Sequence, residues 1–276
     1  MSAGTPALTA GGRTVVVGGL PVSLLDVGDG PFVLLLHGSG PGTTGAGAWS
    51  ATATALAGRV RCIAPDQAGF GHSPLPHGSR GGLQVWTERA AALMDELGAS
   101  SYSVVGHSMG GAVALALAAA LPERVTRAVA VSTMGAPGAP LSPDLDALWG
   151  APPGPHGARD MLGRLLHDPA LVTDAAVAAR AEAMEAGKDA FAALFPPPRK
   201  RWVDDLALSP TTLAAIRAPV LLVHGARDRV TPLGESALPL LDHVPDVRLH
   251  VFGRCGHVPA VEHPGEFHRL LLDFLA

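Results

Sequence analysis

The sequence predicts an α/β protein built on a doubly wound, mostly parallel sheet with a helical insertion. Short apolar runs alternate with segments of helical spacing toward both ends of the chain. Several of these runs are continuously apolar, as expected for strands that helices cover on both faces of a sheet. Residues 135–209 break the alternation, because they contain two proline clusters and helical patterns but no run of strand type.

The segment before the insertion supplies most of the predicted strands. Residues 15–17 and 21–25 alternate in polarity around two glycines and predict an opening hairpin. Apolar runs predict further strands at 32–36, 60–64, 102–105 and 127–132. Helical spacing predicts helices at 49–56, 83–97 and 111–121. Gly98 follows the second of these helices, in the position where glycine commonly ends a helix.

The insertion and the segment after it complete the predicted order. Within the insertion, helical spacing predicts helices at 159–166 and 173–195. Strands are then predicted at 219–224 and 247–252, with helices at 233–241 and 264–275. We therefore expect a core formed by residues 1–134 and 210–276, with residues 135–209 as a helical lid.

Composition excludes several classes of partner. The chain has 276 residues, 47% of them hydrophobic, and a net charge of −4. Its one short basic run, at 199–201, makes nucleic acid an improbable partner. No apolar run approaches the roughly 20 residues of a membrane span, and residues 1–20 lack the apolar centre of a signal peptide. We expect a small-molecule substrate, with the oligomeric state, monomer or homo-oligomer, left open.

The cysteines indicate the compartment. Cys62 and Cys255 are the only two, and two free thiols in a reducing compartment are favoured over a disulfide. We therefore expect a cytoplasmic protein.

A serine stands between a predicted strand and a predicted helix. Residues 106–110 read Gly-His-Ser-Met-Gly and place Ser108 at the apex of the turn. A G-x-S-x-G sequence in this context is typical of a nucleophile elbow. The alternative is an ordinary glycine-rich turn with a capping serine, which the remaining chemistry of the chain disfavours.

A base and an acid follow the serine in the chain. A serine hydroxyl needs a base to take its proton and a third group to orient that base. Asp228 and His257 each follow a late strand, in the order acid then histidine. The strand ending at Ser132 is a competing position, but no carboxylate follows it before Asp144. The alternatives are a helix-capping role for Asp228 and a structural role for His257.

Other histidines carry no clear signal. Among them, His37, His224 and His250 are interpreted as strand-end or surface residues. No histidine has metal-ligand spacing such as H-E-x-x-H, so we expect no metal and no cofactor.

The loop at residues 37–42, rich in glycine, follows the strand at 32–36. An oxyanion hole needs backbone N–H groups directed at the developing charge. Met109, directly after the serine, is expected to supply one and Ser39 the other. Gly38 and Gly40 of the same loop are expected at the substrate. A plain tight turn is the alternative interpretation.

With these residues the chain resembles the α/β-hydrolase superfamily over essentially its full length. More narrowly, it resembles the meta-cleavage-product hydrolases of aromatic degradation. The stretches that carry the resemblance are residues 37–42, 65–73, 191–203 and 248–257. The second of these and the elbow are shared widely among α/β hydrolases, whereas the last two are more specific.

The narrower resemblance implies an activity and further site residues. These enzymes cleave a carbon–carbon bond of a 2-hydroxy-6-oxohexa-2,4-dienoate without a cofactor, after ketonisation of the dienol. The resemblance implies Ser108, Asp228 and His257 as the triad. It also implies a lid arginine that holds the substrate carboxylate, which by its pattern is Arg180; a solvated helix residue is the alternative. An arginine fork suits a carboxylate.

Three substrate-contacting positions depart from the family pattern. Ala48 and His107 stand where the family usually has asparagine, and Val258 stands where it usually has tryptophan. Two alternative functions therefore remain: a carboxylic ester or lactone hydrolase, and a non-catalytic binding protein on a hydrolase scaffold. The complete triad argues against the second.

Overall fold

The computed structural model describes residues 12–276, which form one eight-stranded sheet flanked by helices. The predicted absence of a signal peptide concerns residues 1–20, of which 1–11 lie outside the described part. The strands are β1 (Gly12–Val17), β2 (Leu20–Val27), β3 (Phe32–Leu36), β4 (Arg61–Pro65), β5 (Tyr102–His107), β6 (Val125–Val131), β7 (Val220–Gly225) and β8 (Val247–Phe252).

The helices lie between and after these strands. They are α1 (Gly45–Leu56), α2 (Leu83–Glu96), α3 (Met109–Ala120), α4 (Pro143–Trp149), α5 (Pro155–Leu165), α6 (Asp174–Leu194), α7 (Lys200–Leu206), α8 (Pro210–Ala214), α9 (Ala237–Leu240), α10 (Pro259–Glu262) and α11 (Pro264–Leu275). A 3-10 turn, Pro169–Leu171, separates α5 from α6.

The strand order is β1-β2-β4-β3-β5-β6-β7-β8, antiparallel at the first two junctions and parallel at the other five. The predicted doubly wound, mostly parallel sheet is confirmed. Because β3, β5, β6, β7 and β8 run in the same direction, their carboxyl ends meet along one edge of the sheet, where ligands bind in such folds.

Alternating residues of the central strands face two separate cores. In β3, Leu34 and Leu36 pack with α2 and α3, whereas Val33 and Leu35 pack with α1 and α11. All four are fully buried. This double burial explains why the central strands read as continuous apolar runs.

Several helix boundaries differ from the sequence prediction. Helix α1 begins at Gly45, four residues earlier than predicted, with the Thr44 side chain accepting a hydrogen bond from the Gly47 N–H. The predicted helix at 233–241 is reduced to the four residues of α9. Helices α4, α7, α8 and α10 were not predicted, because all are seven residues or shorter. Over so few residues, helical periodicity gives a weak signal.

Two further sequence expectations concern chemistry and membranes. Cys62 and Cys255 are both buried free thiols, as predicted. Burial raises the pKa of the Cys62 thiol to about 12. Within residues 12–276, no helix is both long and apolar enough to cross a bilayer.

An ion cluster joins the strands at the antiparallel end of the sheet. Asp26 on β2 accepts hydrogen bonds from Arg13 on β1 and from Arg61 on β4. The hydrogen bond from Arg61, opposed by burial and assisted by Arg13, lowers the pKa of Asp26. The folded-state pKa therefore lies below the unfolded-state value. It follows that the contribution of Asp26 to stability is complete above about pH 4 and is lost as the pH falls through the folded-state pKa.

We expect Asp26→Asn to lower the free energy of unfolding at pH 7 by roughly 1.5–3 kcal/mol, because hydrogen bonds between charged groups are lost. The difference from wild type should shrink as the pH falls below about 4. Urea unfolding across this pH range measures both. Glu123→Gln is the control, because its pair with Arg217 is largely exposed and should contribute little. A difference that is independent of pH would contradict the assignment.

Candidate active site

Ser108 lies at the sharp turn between β5 and α3. Its backbone adopts φ 56° and ψ −118°, a strained conformation for a residue other than glycine. The Ser108 N–H donates to the Val131 carbonyl on β6 at 2.9 Å, which anchors the turn to the sheet. A Cβ at Gly106 would come within 1.9 Å of the Gly110 carbonyl oxygen, so only glycine permits this approach of strand and helix. The turn presents the serine at the carboxyl edge of the sheet.

Asp228 and His257 form a buried pair beside that turn. They follow β7 and β8, and the His257 Nδ1 lies 2.8 Å from the Asp228 Oδ2. Thr231 donates its hydroxyl to the same carboxylate oxygen at 2.9 Å. The other oxygen, Oδ1, accepts the backbone N–H groups of Val230 and Thr231. Asp228 caps no helix, because the next helix, α9, begins only at Ala237: one carboxylate oxygen orders its own loop and the other holds the imidazole.

The charge state of Asp228 fixes the proton of His257. Burial opposes ionisation of this carboxyl, but the neighbouring His257 charge and hydrogen bonds from His224 and His257 outweigh it and lower the pKa of Asp228. An ionised carboxylate can only accept, so the proton lies on His257 Nδ1. This leaves His257 Nε2 with a free lone pair, the form that a general base requires.

Two other histidines contact this pair. His224 is fully buried, and its Nε2 lies 2.8 Å from the Thr231 carbonyl oxygen and 3.3 Å from the Asp228 Oδ2. His107 directs its Nε2 at the His257 carbonyl oxygen at 2.9 Å. Because a carbonyl only accepts, each ring carries its proton on Nε2. Sequence reasoning gave His224 no role; its position four residues before Asp228 at a strand end was the available signal.

The His107 ring stays neutral over the usual assay range. Burial, followed by the nearby His257 charge, lowers the pKa of His107 to about 3. Its ring centroid lies 4.7 Å from that of His257. His107 is thus a fixed, uncharged part of the cavity wall, and its Nε2 is already used by the protein.

A cavity of about 450 Å³ opens above the serine. Eleven residues were predicted for the site, and nine of them line this cavity: Gly38, Ser39, Gly40, Ala48, His107, Ser108, Arg180, His257 and Val258. The other two are Asp228, which lies behind His257, and Met109, the buried first residue of α3. The remaining wall is mostly aliphatic, and half of its residues come from the insertion.

Two backbone N–H groups near the serine are free to bind an oxyanion. Met109 is the first residue of α3, where N–H groups have no partner inside the helix. Ser39 lies in the loop after β3. Neither N–H donates to any acceptor in the described part of the chain. An oxyanion hole requires unpaired backbone N–H groups of this kind.

Among the described residues that line the cavity, Arg180 is the only arginine or lysine. It projects from α6 and is half-buried, and burial lowers its pKa. Its only hydrogen bond in residues 12–276 is a long one, 3.4 Å, from Nη1 to the Pro41 carbonyl oxygen. No carboxylate of the described residues forms an ion pair with it. A cation without a counter-charge is therefore exposed to the cavity.

Across the described range, no three His, Cys, Asp or Glu side chains are grouped to hold a metal ion.

The sequence is similar to that of known hydrolases. The sequence profile of the α/β hydrolase fold matches residues 31–264. The chain is 41% identical to a 2-hydroxy-6-oxo-2,4-heptadienoate hydrolase of Pseudomonas putida over 96% of each chain. It is 40% identical to a 2-hydroxymuconate semialdehyde hydrolase of Pseudomonas putida, over 96% of this chain and 94% of the relative.

A solved structure agrees with these sequence relatives. A meta-cleavage product hydrolase from Pseudomonas fluorescens superposes with a TM-score of 0.91 at 35% identity. The superposition covers 95% of this chain and 97% of the other.

Proposed function

We propose that this chain, which belongs to the α/β-hydrolase family and within it to the meta-cleavage-product hydrolases, hydrolyses a carbon–carbon bond of a 2-hydroxy-6-oxohexa-2,4-dienoate. The relatives at about 40% identity are hydrolases named for substrates of this type. Their match over nearly the whole of both chains supports transfer of the reaction class as well as the fold.

The observation that carries the proposal is the unpaired Arg180 in an otherwise mostly apolar cavity. Burying a cation without a partner is unfavourable, so the site favours a ligand that brings an anion. A dienoate carries one carboxylate at C1, and an arginine fork binds a carboxylate through two parallel hydrogen bonds. The aliphatic wall suits the uncharged remainder of such a substrate.

The core residues have separate roles in this proposal. Asp228 holds the proton on His257 Nδ1, so that His257 Nε2 can take the proton from Ser108 and later from the water that hydrolyses the acyl-enzyme. The Ser39 and Met109 N–H groups receive the oxyanion that forms when the C6 carbonyl is attacked.

Bond cleavage follows from the chemistry of the substrate. Ketonisation moves the proton of the 2-hydroxyl to C5 and leaves carbonyl groups at C2 and C6. Ser108 then attacks C6, and collapse of the oxyanion breaks the C5–C6 bond and leaves C6 as an acyl group on the serine, which water hydrolyses to a carboxylic acid. The electron pair left on C5 is delocalised through the C3–C4 double bond onto the C2 oxygen, and protonation by the His257 imidazolium completes the step. The substrate itself stabilises the carbanion, so the protein needs only to orient, deprotonate and bind charge.

We further propose that the insertion, residues 135–209, is the lid of this site. Its side chains supply much of the cavity wall, including Leu145 and Leu148 on α4, Met161 on α5 and Arg180 on α6. We also propose a cytoplasmic location, which the two free cysteines support.

Ester hydrolysis is the second candidate function. Ala48, His107 and Val258 all line the cavity, and none offers the polar group that the family usually has there. His107 in particular uses its Nε2 proton within the protein. The same serine, base and oxyanion hole would serve an ester.

Arg180→Ala separates the two functions. A charge-assisted hydrogen bond contributes roughly 1.5–3 kcal/mol, so we expect kcat/KM on a carboxylated dienoate to fall about ten- to a hundred-fold. Turnover of a neutral p-nitrophenyl ester should change little. Loss of the yellow dienoate colour and release of p-nitrophenol measure the two reactions.

Arg159→Ala is the matched control, because this arginine is also on the insertion but pairs with Asp174 on the exposed surface. It should leave both reactions unchanged. Wild-type enzyme that hydrolyses esters well, ignores dienoates and does not respond to Arg180→Ala would replace the carbon–carbon hydrolase with an esterase.

A further inference from the structure

We propose that Trp149, in the insertion, is a positioning residue for the oxyanion hole. Its indole Nε1 donates a hydrogen bond to the Ser39 Oγ at 2.9 Å. Both side chains are buried, with 3% exposure each. Because water cannot compete at this depth, the bond restrains the loop that carries the Ser39 N–H.

The indole is the rigid partner of this bond. Trp149 stacks on Phe195 at 4.9 Å between ring centroids, and Phe195 stacks on Trp86 of the core at 6.1 Å. These stacks fix the direction of the Trp149 N–H independently of Ser39. Ser39 lies in a glycine-rich loop that other hydrogen bonds hold at His37 and Gly40, and the indole adds the restraint at Ser39 itself.

The loop also packs against another part of the insertion. A Cβ at Gly42 would come within 2.3 Å of the Ala183 carbonyl carbon on α6. The loop at residues 37–42 therefore contacts the insertion at two points, Ser39 and Gly42.

Helix α4 contacts both the loop that carries Asp228 and the loop that carries Ser39. At its start, Ser142 accepts the Leu145 N–H and donates its hydroxyl to the Val230 carbonyl at 2.7 Å. The Val230 N–H in turn donates to the Asp228 Oδ1. At the end of α4, Trp149 holds Ser39. A helix of seven residues, about 10 Å long, thus connects the loop of the acid to the loop of the oxyanion hole.

Trp149 is not itself part of the cavity wall, whereas its neighbours Leu145 and Leu148 are. Replacing the indole should therefore alter the placement of the Ser39 N–H without altering contacts to the bound substrate. The expected signature is a loss in kcat with little change in KM, because the oxyanion exists only after attack. Displacement of a catalytic group by about 1 Å can lower the rate a hundred-fold.

The test is a double-mutant cycle of Trp149→Phe and Ser39→Ala. The first keeps an aromatic ring and removes the N–H, and the second removes the acceptor but keeps the backbone N–H. We expect each to lower kcat about ten- to a hundred-fold, to leave KM within about two-fold, and to show no further loss in combination. A boronic acid, which forms a tetrahedral adduct with an activated serine, should bind more weakly by the same factor.

Trp202→Phe is the matched control. Trp202 belongs to the same aromatic cluster, 5.7 Å from the Phe195 centroid, but donates its indole N–H to the Pro196 carbonyl. It should lower the melting temperature without the selective loss in kcat. Equal kcat losses in Trp149→Phe and Trp202→Phe, additive effects in the cycle, or a change confined to KM would each overturn the inference. If Trp149→Phe does not fold, Ser39→Ala decides through its own kcat and KM.

The inference rests on the proposed function only in that an oxyanion must form. All variants are therefore assayed on a p-nitrophenyl ester as well as on a dienoate. If wild type does not cleave dienoates, the carbon–carbon proposal fails. The ester kinetics alone then decide whether Trp149 positions the oxyanion hole.

Discussion

Ser108→Ala is expected to lower turnover by roughly 10⁴- to 10⁶-fold, the largest effect of any single substitution in this chain. Without the hydroxyl there is no nucleophile for His257 to activate, and the remaining rate comes from substrate binding and the oxyanion hole. Alanine has a Cβ as serine does, so the positive φ at this position should be preserved. Steady-state turnover, supported by circular dichroism and a melting curve, measures the effect.

Ser132→Ala is the matched control for this loss. Ser132 is also a buried serine with a positive φ of 44°, at the end of the neighbouring strand β6. Its hydroxyl has no hydrogen-bond partner among the described residues. Its removal should leave turnover close to wild type. Near-normal rates in Ser108→Ala would show that the nucleophile is another group.

Asp228→Asn is expected to lower turnover by about 10⁴-fold while the protein stays folded. Two backbone N–H groups require an oxygen at the Oδ1 position, so the asparagine nitrogen must occupy the position of Oδ2. That nitrogen can only donate, and it would meet the Nδ1–H of His257. The imidazole would then move its proton to Nε2 and lose the lone pair needed by a base.

Asp144→Asn tests the competing position for the acid. Asp144 is the first carboxylate after β6 and pairs with Arg164 within the insertion. Its replacement should cause a small change in stability and none in the chemistry. The acid would have to be reassigned if Asp144→Asn abolished turnover and Asp228→Asn did not.

The core of the fold and the site was predictable because its signals are local in sequence. The apolar runs of β3, β5 and β7 identify buried strands, and parallel strands bring their carboxyl ends to one edge. Ser108 and Asp228 follow β5 and β7, and His257 follows the edge strand β8, so three distant residues could be placed together without coordinates.

Other features depend on contacts that no local pattern encodes. The bond between Trp149 and Ser39 joins residues 110 positions apart and requires the docked position of α4. The start of α1 at Gly45 runs against glycine's low helix propensity. The Thr44 cap is a local signal for this start, whereas the packing that requires glycine is not: a Cβ at Gly45 would lie 2.3 Å from the Ala64 carbonyl oxygen. Likewise, His107 could be recognised as a departure from the family, but not as a donor to the His257 backbone.

The cavity wall comes partly from turns at the sheet edge and partly from the insertion, and this affects how the substrate range can be changed. The nucleophile, acid and base belong to turns that the sheet fixes, and Gly106 tolerates no side chain. The aliphatic side chains of Leu148, Met161 and Leu165 come from helices of a separate segment. A mutant library restricted to such positions could enlarge or reshape the space for the acyl group while the reacting atoms keep their places. The substrate range can therefore be altered at side chains that do not hold the triad, provided that Trp149 on α4 keeps its bond to Ser39.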